Sequence, residues 1–386
     1  MSTKLFVKIS TVLLIAVFVV SACAPAATPA AVPTSAPAAP QPTTPPAAQA
    51  TKGGAACDFD AATCAYLDGK DFSGQTLVVG VWGGDIEKIL RDIVIPPLEA
   101  RGAQVQLLLG GTGDRTAKVY AEKGNPTMDV SYQNIYESIQ GVKDGVFEAP
   151  SSEIPAYNDL YPIAKTGCYG MSLMGLGIAY NTDTFKTPPQ WADIFKPEYQ
   201  GKVALPNYPG SEGDGFIGIA ARLQGKDEHS PDAAFAKLAT LKPIPLVYTD
   251  LDTVFTMMDK GDIVAAPMIS GYAITYEKKG MKVGFSWPTN PGPVLTMDNL
   301  CIVKGTKHRD LAMAWAQLAL SPKTQEAYAN RIFFGPTNSK AQVPADVAKM
   351  IVYGDKVNTL IALDWPYVSS QRSAWTDRWN KELLGK

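Results

Sequence analysis

The chain has 386 residues, with 35 lysines and arginines against 37 aspartates and glutamates, and a net charge of −2 at pH 7. That balance excludes the basic surface with which proteins bind nucleic acid, so we expect no nucleic-acid partner. The five cysteines and two histidines lack the Cys-x-x-Cys or Cys/His spacing of a structural zinc site, and we expect no metal and no cofactor.

The N-terminus has the pattern of an export signal. Lys4 and Lys8 lie in a short segment without acids, and residues 11–20 are almost wholly apolar but too short to span a membrane. Small residues precede Cys23, and this arrangement resembles the lipobox of bacterial lipoproteins, in which the thiol accepts a diacylglyceryl group. We therefore predict a lipoprotein signal peptide over residues 1–22 and lipidation of Cys23. The alternative is an ordinary signal peptide followed by a chance cysteine.

The segment after Cys23 is typical of a tether. Residues 24–50 contain only Ala, Pro, Thr, Val, Ser and Gln, a composition that cannot bury enough surface to fold. Proline-rich chains of this kind are extended and semi-rigid. We predict a lipidated, Pro/Ala-rich linker over residues 23–56. It would hold the protein in the cell envelope, lipid-anchored on the outer face of the cytoplasmic membrane or in the periplasm.

The other four cysteines are candidates for disulfide bonds, because export leads to a non-reducing compartment. Cys57 and Cys64 are close enough in sequence to close a small loop. Cys168 and Cys301 are then left as the second pair.

From residue 75 onward, β-rich apolar runs alternate with segments of helical periodicity. The first strand ends at Gly83-Gly84, and the second ends in another glycine cluster at residues 110–113. This alternation predicts βα units and a mostly parallel sheet. The predicted strands are 75–82, 105–109, 128–132, 173–180, 203–206, 245–248, 263–267, 283–287 and 298–303. The predicted helices are 85–98, 114–123, 215–223, 233–241 and 252–260, with a largely helical segment after residue 308.

Three segments carry a family resemblance. They are WADIFKPEYQGKVAL at residues 191–205, MDNL at 297–300 with LAMAWAQLALSPKTQEAYAN at 311–330, and GPTN at 335–338. In this order they resemble the type II solute-binding proteins of ABC importers, in the branch that binds spermidine, putrescine or ferric iron.

The resemblance implies an α/β fold of two lobes joined by two crossover strands, with a cleft between the lobes. Lobe 1 would comprise residues 57–178 and 299–330, and lobe 2 would comprise 179–298 and 331–386. The implied function is capture of a small solute in the cleft and its delivery to an ABC permease. We expect a monomer without catalytic activity.

Ligands in open α/β sheets bind at the carboxyl ends of the strands, so the loops after the strands supply the candidates. In the first loop, Trp82 offers an aromatic face and Asp85 an acceptor, although Asp85 is equally explained as a helix N-cap. In the second, Thr112 and Arg115 form a glycine-rich turn before a helix, which favours an anion or is a plain turn.

The remaining candidates come from later loops and from the resemblance. Asn134 and Tyr136 follow the third strand where polyamine-binding proteins have a small polar residue and a ligand-binding tyrosine. Asp298 matches a family aspartate that binds an ammonium group; the alternative is a structural aspartate on a crossover strand. Lobe 2 adds four residues in two loops: Tyr208, Glu212, Asp214 and Tyr272.

The class of solute stays open between two alternatives. The carboxylates at positions 85, 212, 214 and 298 suit a polyamine-like or related amine. Ile269 and Thr296, however, occupy the positions of two tryptophans of the polyamine branch, and the turn at Arg115 suits an anionic or zwitterionic solute. Ferric iron is disfavoured because no Tyr-Tyr pair occurs. A surface hydrolase is a remote alternative because Gly-x-Ser-x-Gly is absent.

Overall fold

A computed structural model of the chain describes residues 57–385. The predicted signal peptide, the lipidation site Cys23 and the whole predicted linker lie outside these residues. Within the described part, no helix has the length and hydropathy to cross a membrane.

Thirteen α-helices and ten strands build the described part of the chain. The helices are α1 Ala61–Leu67, α2 Asp85–Ile89, α3 Ile95–Glu99, α4 Thr112–Ala121, α5 Ile135–Lys143, α6 Ser211–Arg222, α7 Pro231–Ala239, α8 Leu251–Lys260, α9 Ser270–Lys278, α10 Arg309–Ala319, α11 Pro322–Ile332, α12 Ala345–Met350 and α13 Trp365–Arg378. The strands are β1 Thr76–Val81, β2 Gln104–Leu109, β3 Val130–Asn134, β4 Tyr169–Asn181, β5 Leu205–Pro206, β6 Val247–Tyr248, β7 Ala265–Ile269, β8 Val283–Ser286, β9 Val294–Ile302 and β10 Gly335–Pro336.

Two long strands, β4 and β9, belong to both lobes. In lobe 1, β1 lies parallel to β2 and β3, and β3 pairs antiparallel with the second half of β9. In lobe 2, the second half of β4 pairs with β7 and β8. The two long strands also pair with each other, Ser172 opposite Asp298 and Met174 opposite Thr296. This arrangement confirms the predicted two-lobed α/β fold with two crossover strands. The prediction of a mostly parallel sheet is wrong, because β9 runs antiparallel to β3 and β4, and β4 runs antiparallel to β7 and β8.

The segment at residues 191–205, which carries part of the family resemblance, contributes to the interior of lobe 2. Trp191 is fully buried and its ring lies 5.8 Å from that of Phe216 on α6. A buried aromatic pair of this kind contributes to stability chiefly through the apolar area that it removes from water. The Trp191 segment is therefore part of the lobe 2 core and does not line the cleft.

The C-terminal helix α13 packs on lobe 2. Trp379, which follows α13, stacks on Tyr208 with 5.1 Å between ring centroids, and Arg378 pairs with Asp232 on α7. Helix α12 instead packs near α11 of lobe 1, where Val347 and Ala329 share a small apolar cluster. Residues 331–385 thus contact both lobes.

Both predicted disulfides are present. Cys57 is bonded to Cys64 at the start of the described chain, and Cys168 is bonded to Cys301. The second bond joins the residue just before β4 to β9, next to the pairing of Tyr169 with Leu300. It therefore crosslinks the two crossover strands at their lobe 1 end.

The sequence prediction was wrong about several element boundaries. The N-cap of α2 is Gly84, and Asp85 is the first helical residue, without a capping hydrogen bond from its side chain. Helix α6 begins at Ser211, so Glu212 and Asp214 are helical and not in a loop. Helices α5 and α9 were not predicted, although they carry Tyr136 and Tyr272. Both are rich in β-branched and aromatic residues, whose helix propensity is modest, and tertiary packing decides their conformation.

Candidate functional site

A cavity of about 210 Å³ lies between the lobes, against the crossover strands. Lobe 1, lobe 2 and the crossover strands all contribute to its lining. The lining residues are Trp82, Gly83, Ile86 and Asn134 from lobe 1, Ser211, Ile269 and Tyr272 from lobe 2, and Met174, Thr296, Met297 and Asp298 from β4 and β9.

Asp298 supplies the only carboxylate among these lining residues. It lies on β9 opposite Asn134 of β3 and Ser172 of β4, and the Ser172 hydroxyl donates a hydrogen bond of 3.0 Å to Asp298 Oδ2. Burial raises the pKa of the Asp298 carboxyl to about 7, and the nearby Arg115 partly opposes this shift. A carboxylate that is costly to ionise alone gains most from a cationic partner.

Thr296 lies two residues before Asp298, so both side chains project from the same face of β9. Its hydroxyl oxygen is buried and has no hydrogen-bond partner. Two residues of a strand span about 7 Å, which sets the approximate distance between the two polar groups on this face. Because Thr296 also lines the cavity, its hydroxyl is free to bond a molecule bound there.

Trp82 forms the lobe 1 wall, and Arg115 supports it from behind. The Arg115 guanidinium lies 4.5 Å from the centroid of the Trp82 ring. Its Nε donates to the Tyr132 carbonyl at 3.0 Å, and Nη1 donates to the Gly110 carbonyl. Arg115 is 3% exposed and is not among the lining residues. It fixes the ring of Trp82 through a cation–π contact and does not itself reach the cavity.

Four helices begin at the cavity. Gly83 lies just before α2, Asn134 is the N-cap of α5, Ser211 is the first residue of α6, and Ile269 is the N-cap of α9. First-turn N–H groups have no partner within a helix, and the helix dipole makes this end positive. The cavity therefore offers hydrogen-bond donors and a positive potential in addition to the Asp298 carboxylate.

The other predicted acids do not line the cavity. Asp85 is exposed and forms an ion pair of 2.8 Å with Lys88. The Glu212 carboxylate accepts a hydrogen bond of 3.3 Å from Tyr248, and burial raises the pKa of Glu212 to about 7. Asp214 is fully buried and pairs with Arg372.

Of the remaining predicted residues, three line the cavity beside Asp298 and three contact residues outside it. Trp82, Asn134 and Tyr272 meet Asp298 at the cavity. Thr112 accepts a long hydrogen bond of 3.4 Å from Arg115, and Tyr208 donates to Asp214 at 2.9 Å. Tyr136 contacts Arg372.

Sequence reasoning missed part of the lining. Ile86, Met174 and Met297 are apolar and have the same pattern as core residues, so no sequence signal separates them from the core. Ser211 has a signal, since a serine that follows Pro-Gly before a helical segment is typical of a helix start. Arg372 lies in the C-terminal helix, far in sequence from its partners, and was also missed.

Among residues 57–385, no three His, Cys, Asp or Glu side chains are grouped closely enough to hold a metal ion. The cavity is instead lined by aromatic and aliphatic groups with a few polar ones, which is typical of sites for small organic molecules.

Residues 98–351 match the family described as bacterial extracellular solute-binding protein. The chain belongs to this family. The gamma-aminobutyric acid-binding protein of Pseudomonas aeruginosa is 24% identical over 297 residues, covering 71% of this chain and 80% of that protein. Spermidine/putrescine-binding periplasmic protein 1 of Haemophilus influenzae is 26% identical over 242 residues, covering 58% of this chain and 66% of that protein.

Solved structures of solute-binding proteins share the fold. An ABC transporter protein from Clostridium perfringens matches with a TM-score of 0.69 and 28% identity, over 80% of this chain and 99% of that chain. This extracellular solute-binding protein is therefore the receptor component of an ABC importer and not an enzyme. Proteins of this family bind a small solute and deliver it to a permease.

Proposed function

We propose that this solute-binding protein captures a small amine, with the ammonium group of the solute bound to Asp298. The observation that carries the proposal is that Asp298 is the single acidic residue among those lining the interlobe cavity. Its Oδ2 is oriented by Ser172, and its carboxylate has no cationic side chain in direct contact among the described residues. A solute ammonium would supply the missing charge and shed its own hydration in the process.

The walls of the cavity suit the carbon chain of such a solute. Trp82 and Tyr272 offer aromatic faces, and Ile86, Met174 and Ile269 offer aliphatic ones. Alkylammonium groups bind favourably over aromatic rings, because the ring face carries negative charge density. Methylene groups between polar ends would remove apolar surface from water at about 25 cal/mol per Å².

A zwitterionic solute is the second candidate, and Thr296 favours it. The unpartnered Thr296 hydroxyl lies about one strand repeat from Asp298, and the start of α6 at Ser211 also lines the cavity. Both offer hydrogen-bond donors to a carboxylate. A diamine would need a second carboxylate, and Asp85, Glu212 and Asp214 are engaged elsewhere. One of the relatives is named for binding gamma-aminobutyric acid, a solute of this zwitterionic type.

Isothermal titration with three probes tests the proposal. Butylamine carries one ammonium group, putrescine carries two, and γ-aminobutyrate carries one ammonium and one carboxylate. We expect the wild-type protein to bind at least one of these probes. Asp298→Asn should weaken that binding at least about 30-fold, since removing one partner of a buried charge pair costs about 2 kcal/mol or more. Asp262→Asn, at an exposed turn before β7, is the control and leaves binding unchanged.

The three probes also separate the candidates. Preference for γ-aminobutyrate over butylamine supports the zwitterion, and preference for putrescine supports the polyamine. Failure of all three to bind, or equal binding to wild type and Asp298→Asn, would contradict the ammonium site.

We further propose that the protein is lipid-anchored through Cys23, as the lipobox pattern indicates. The anchor and linker would keep the two lobes within reach of the permease. Expression in a bacterial host with a labelled fatty acid tests this. We expect the wild-type chain to carry the label and to be found in the membrane fraction. Cys23→Ser should lose both the label and the association with the membrane. A labelled Cys23→Ser chain would refute the assignment.

A further inference from the structure

Helix α13 is fixed to lobe 2 but also faces lobe 1. Its lobe 2 contacts include Arg378 with Asp232 and the stacking of Trp379 on Tyr208. On its other side, Ser369 donates a hydrogen bond of 3.4 Å to Gln140 on α5 of lobe 1. The α13–α5 contact is therefore a contact between lobes, separate from the crossover strands.

Arg372 lies at the centre of this contact, and lobe 2 holds it in place. Its Nε donates to Asp214 Oδ2 at 3.0 Å, and its Nη2 donates to the same oxygen. Tyr208 donates to the other carboxylate oxygen of Asp214. The Asp214 side chain is 0% exposed and that of Arg372 is 13% exposed, so the guanidinium is held rigidly.

Lobe 1 contacts the same guanidinium from α5. The Arg372 guanidinium carbon lies 3.1 Å from the centroid of the Tyr136 ring, and Nη1 lies 3.8 Å from Glu137 Oε1. Glu137 Oε2 is buried without a hydrogen-bond partner. Asn134, two residues before Tyr136, lines the cavity. The lobe 1 side of the contact is thus attached directly to the wall of the solute site.

We infer that Arg372 is a positioning residue that holds the two lobes together around the solute without touching it. Rotation of one lobe away from the other would leave Tyr136 and Glu137 without their cation, so the contact favours the closed arrangement. A solute binds the closed form best. Its apparent affinity is therefore lower when a smaller fraction of the chains is closed. The inference depends on solute capture by the family and not on the amine proposed above.

Distances between spin labels on the two lobes test the inference without any solute. Leu109, 51% exposed at the end of β2, and Asn207, exposed before α6, suit substitution by cysteine in the full chain carrying Cys23→Ser. The other four cysteines are bonded in pairs and do not take up label. At pH 8 the Glu137 carboxyl is ionised, because burial raises its pKa only to about 7.

We expect Arg372→Met and Glu137→Gln to raise the ratio of long to short label distances at least about five-fold, the lower end of common coupling effects. Arg372→Lys keeps the charge and should restore part of the short-distance population. Arg378→Met is the matched control, since the ion pairs and the ring contact of this α13 arginine within residues 57–385 go to Asp232, Phe235 and Glu382 and not to lobe 1.

Glu137→Gln keeps the inference testable if Arg372→Met fails to fold, because it leaves the Arg372–Asp214 pair of lobe 2 intact. Unchanged distances in both Arg372→Met and Glu137→Gln would overturn the inference. An equal change in Arg378→Met would also overturn it, since the effect would then belong to α13 as a whole. Weak binding of every amine probe, with label distances that shift as expected, would contradict the proposed solute and leave Arg372 in its role.

Discussion

Asp214 on α6 accepts two hydrogen bonds from Arg372 on α13, a residue 158 positions later in the chain. The pair is buried, and it attaches the C-terminal helix to the helix whose first residue lines the solute cavity. Burying one charge without its partner is costly, so each residue of the pair depends on the other. The C-terminal helix is therefore an integral part of the solute-binding protein.

Breaking this pair from one side should destabilise the protein. We expect Asp214→Asn to lower the free energy of unfolding by about 3 kcal/mol, because the buried Arg372 loses the carboxylate that accepts its two hydrogen bonds. Arg372→Met should cost a similar amount, and the double variant less than the sum. Urea denaturation of the four proteins measures the coupling. Additive losses would show that the two residues act independently.

Amine binding should weaken as the pH falls below about 7. The Asp298 carboxyl has a pKa raised to about 7 by burial, and a bound ammonium would lower it. Above pH 8 the site is ionised and the affinity is constant; below pH 7 a proton competes with the solute, and the affinity falls up to about ten-fold per pH unit. Titration calorimetry between pH 5.5 and 8.5, with any of the three probes that binds, measures the profile.

Two further groups near the cleft have similar pKa values, Glu212 and Glu137. Glu212→Gln is therefore the control for this profile and should retain the full fall below pH 7. Glu137→Gln should retain the part of the fall that belongs to Asp298 and lose the part that protonation of Glu137 causes by weakening the contact between the lobes. A profile that becomes flat in Glu212→Gln would assign the titration to Glu212 and contradict the role of Asp298.

Asp298→Asn should stabilise the solute-free protein at high pH. The folded-state pKa of Asp298 lies above its ordinary value, so the folded state holds the proton longer than the unfolded chain does. Stability from this group is then full at low pH and is lost as the pH rises from about 4 through 7. We expect the free energy of unfolding of the variant to exceed that of wild type by up to about 4 kcal/mol at pH 8, and not at pH 4. Thermal unfolding at the two pH values measures this, and an equal difference at both would contradict the assignment.

The two disulfides should contribute unequally. Cys168–Cys301 closes a segment with a separation of 133 residues, and Cys57–Cys64 one with a separation of 7. Loop entropy predicts losses of about 5 and about 2.5 kcal/mol on removal. Urea denaturation of Cys168→Ala/Cys301→Ala and Cys57→Ala/Cys64→Ala compares them. A larger loss for the short loop would show that contacts, and not loop closure, dominate.

Local sequence patterns predicted much of the fold. The glycine-ended strands and the periodic helices after them predicted the βα units of lobe 1, because these elements depend on neighbours in sequence. The pairing of cysteines followed from one short spacing. Helices α5 and α9 were missed because their residues have weak helix propensity, and packing against strands from other parts of the chain determines them.

The candidate site was predicted in part. Loops after strands pointed to Trp82, Asn134 and Tyr272, and the family resemblance pointed to Asp298; all four line the cavity. Asp85 and Asp214 were equally plausible from their loops, and only their partners Lys88 and Arg372 show that they do not line it.

The sequence by itself indicated the α/β class and the cysteine pairs, because spacing and periodicity are local properties, and the two-lobed arrangement came from the family resemblance. Only the tertiary structure decided which acid faces the cavity and which arginine joins the lobes. Arg372 meets Tyr136 and Asp214 across separations that no local pattern records. Burial and pairing depend on all the neighbours of a residue in space, and these neighbours come together only when the lobes are folded.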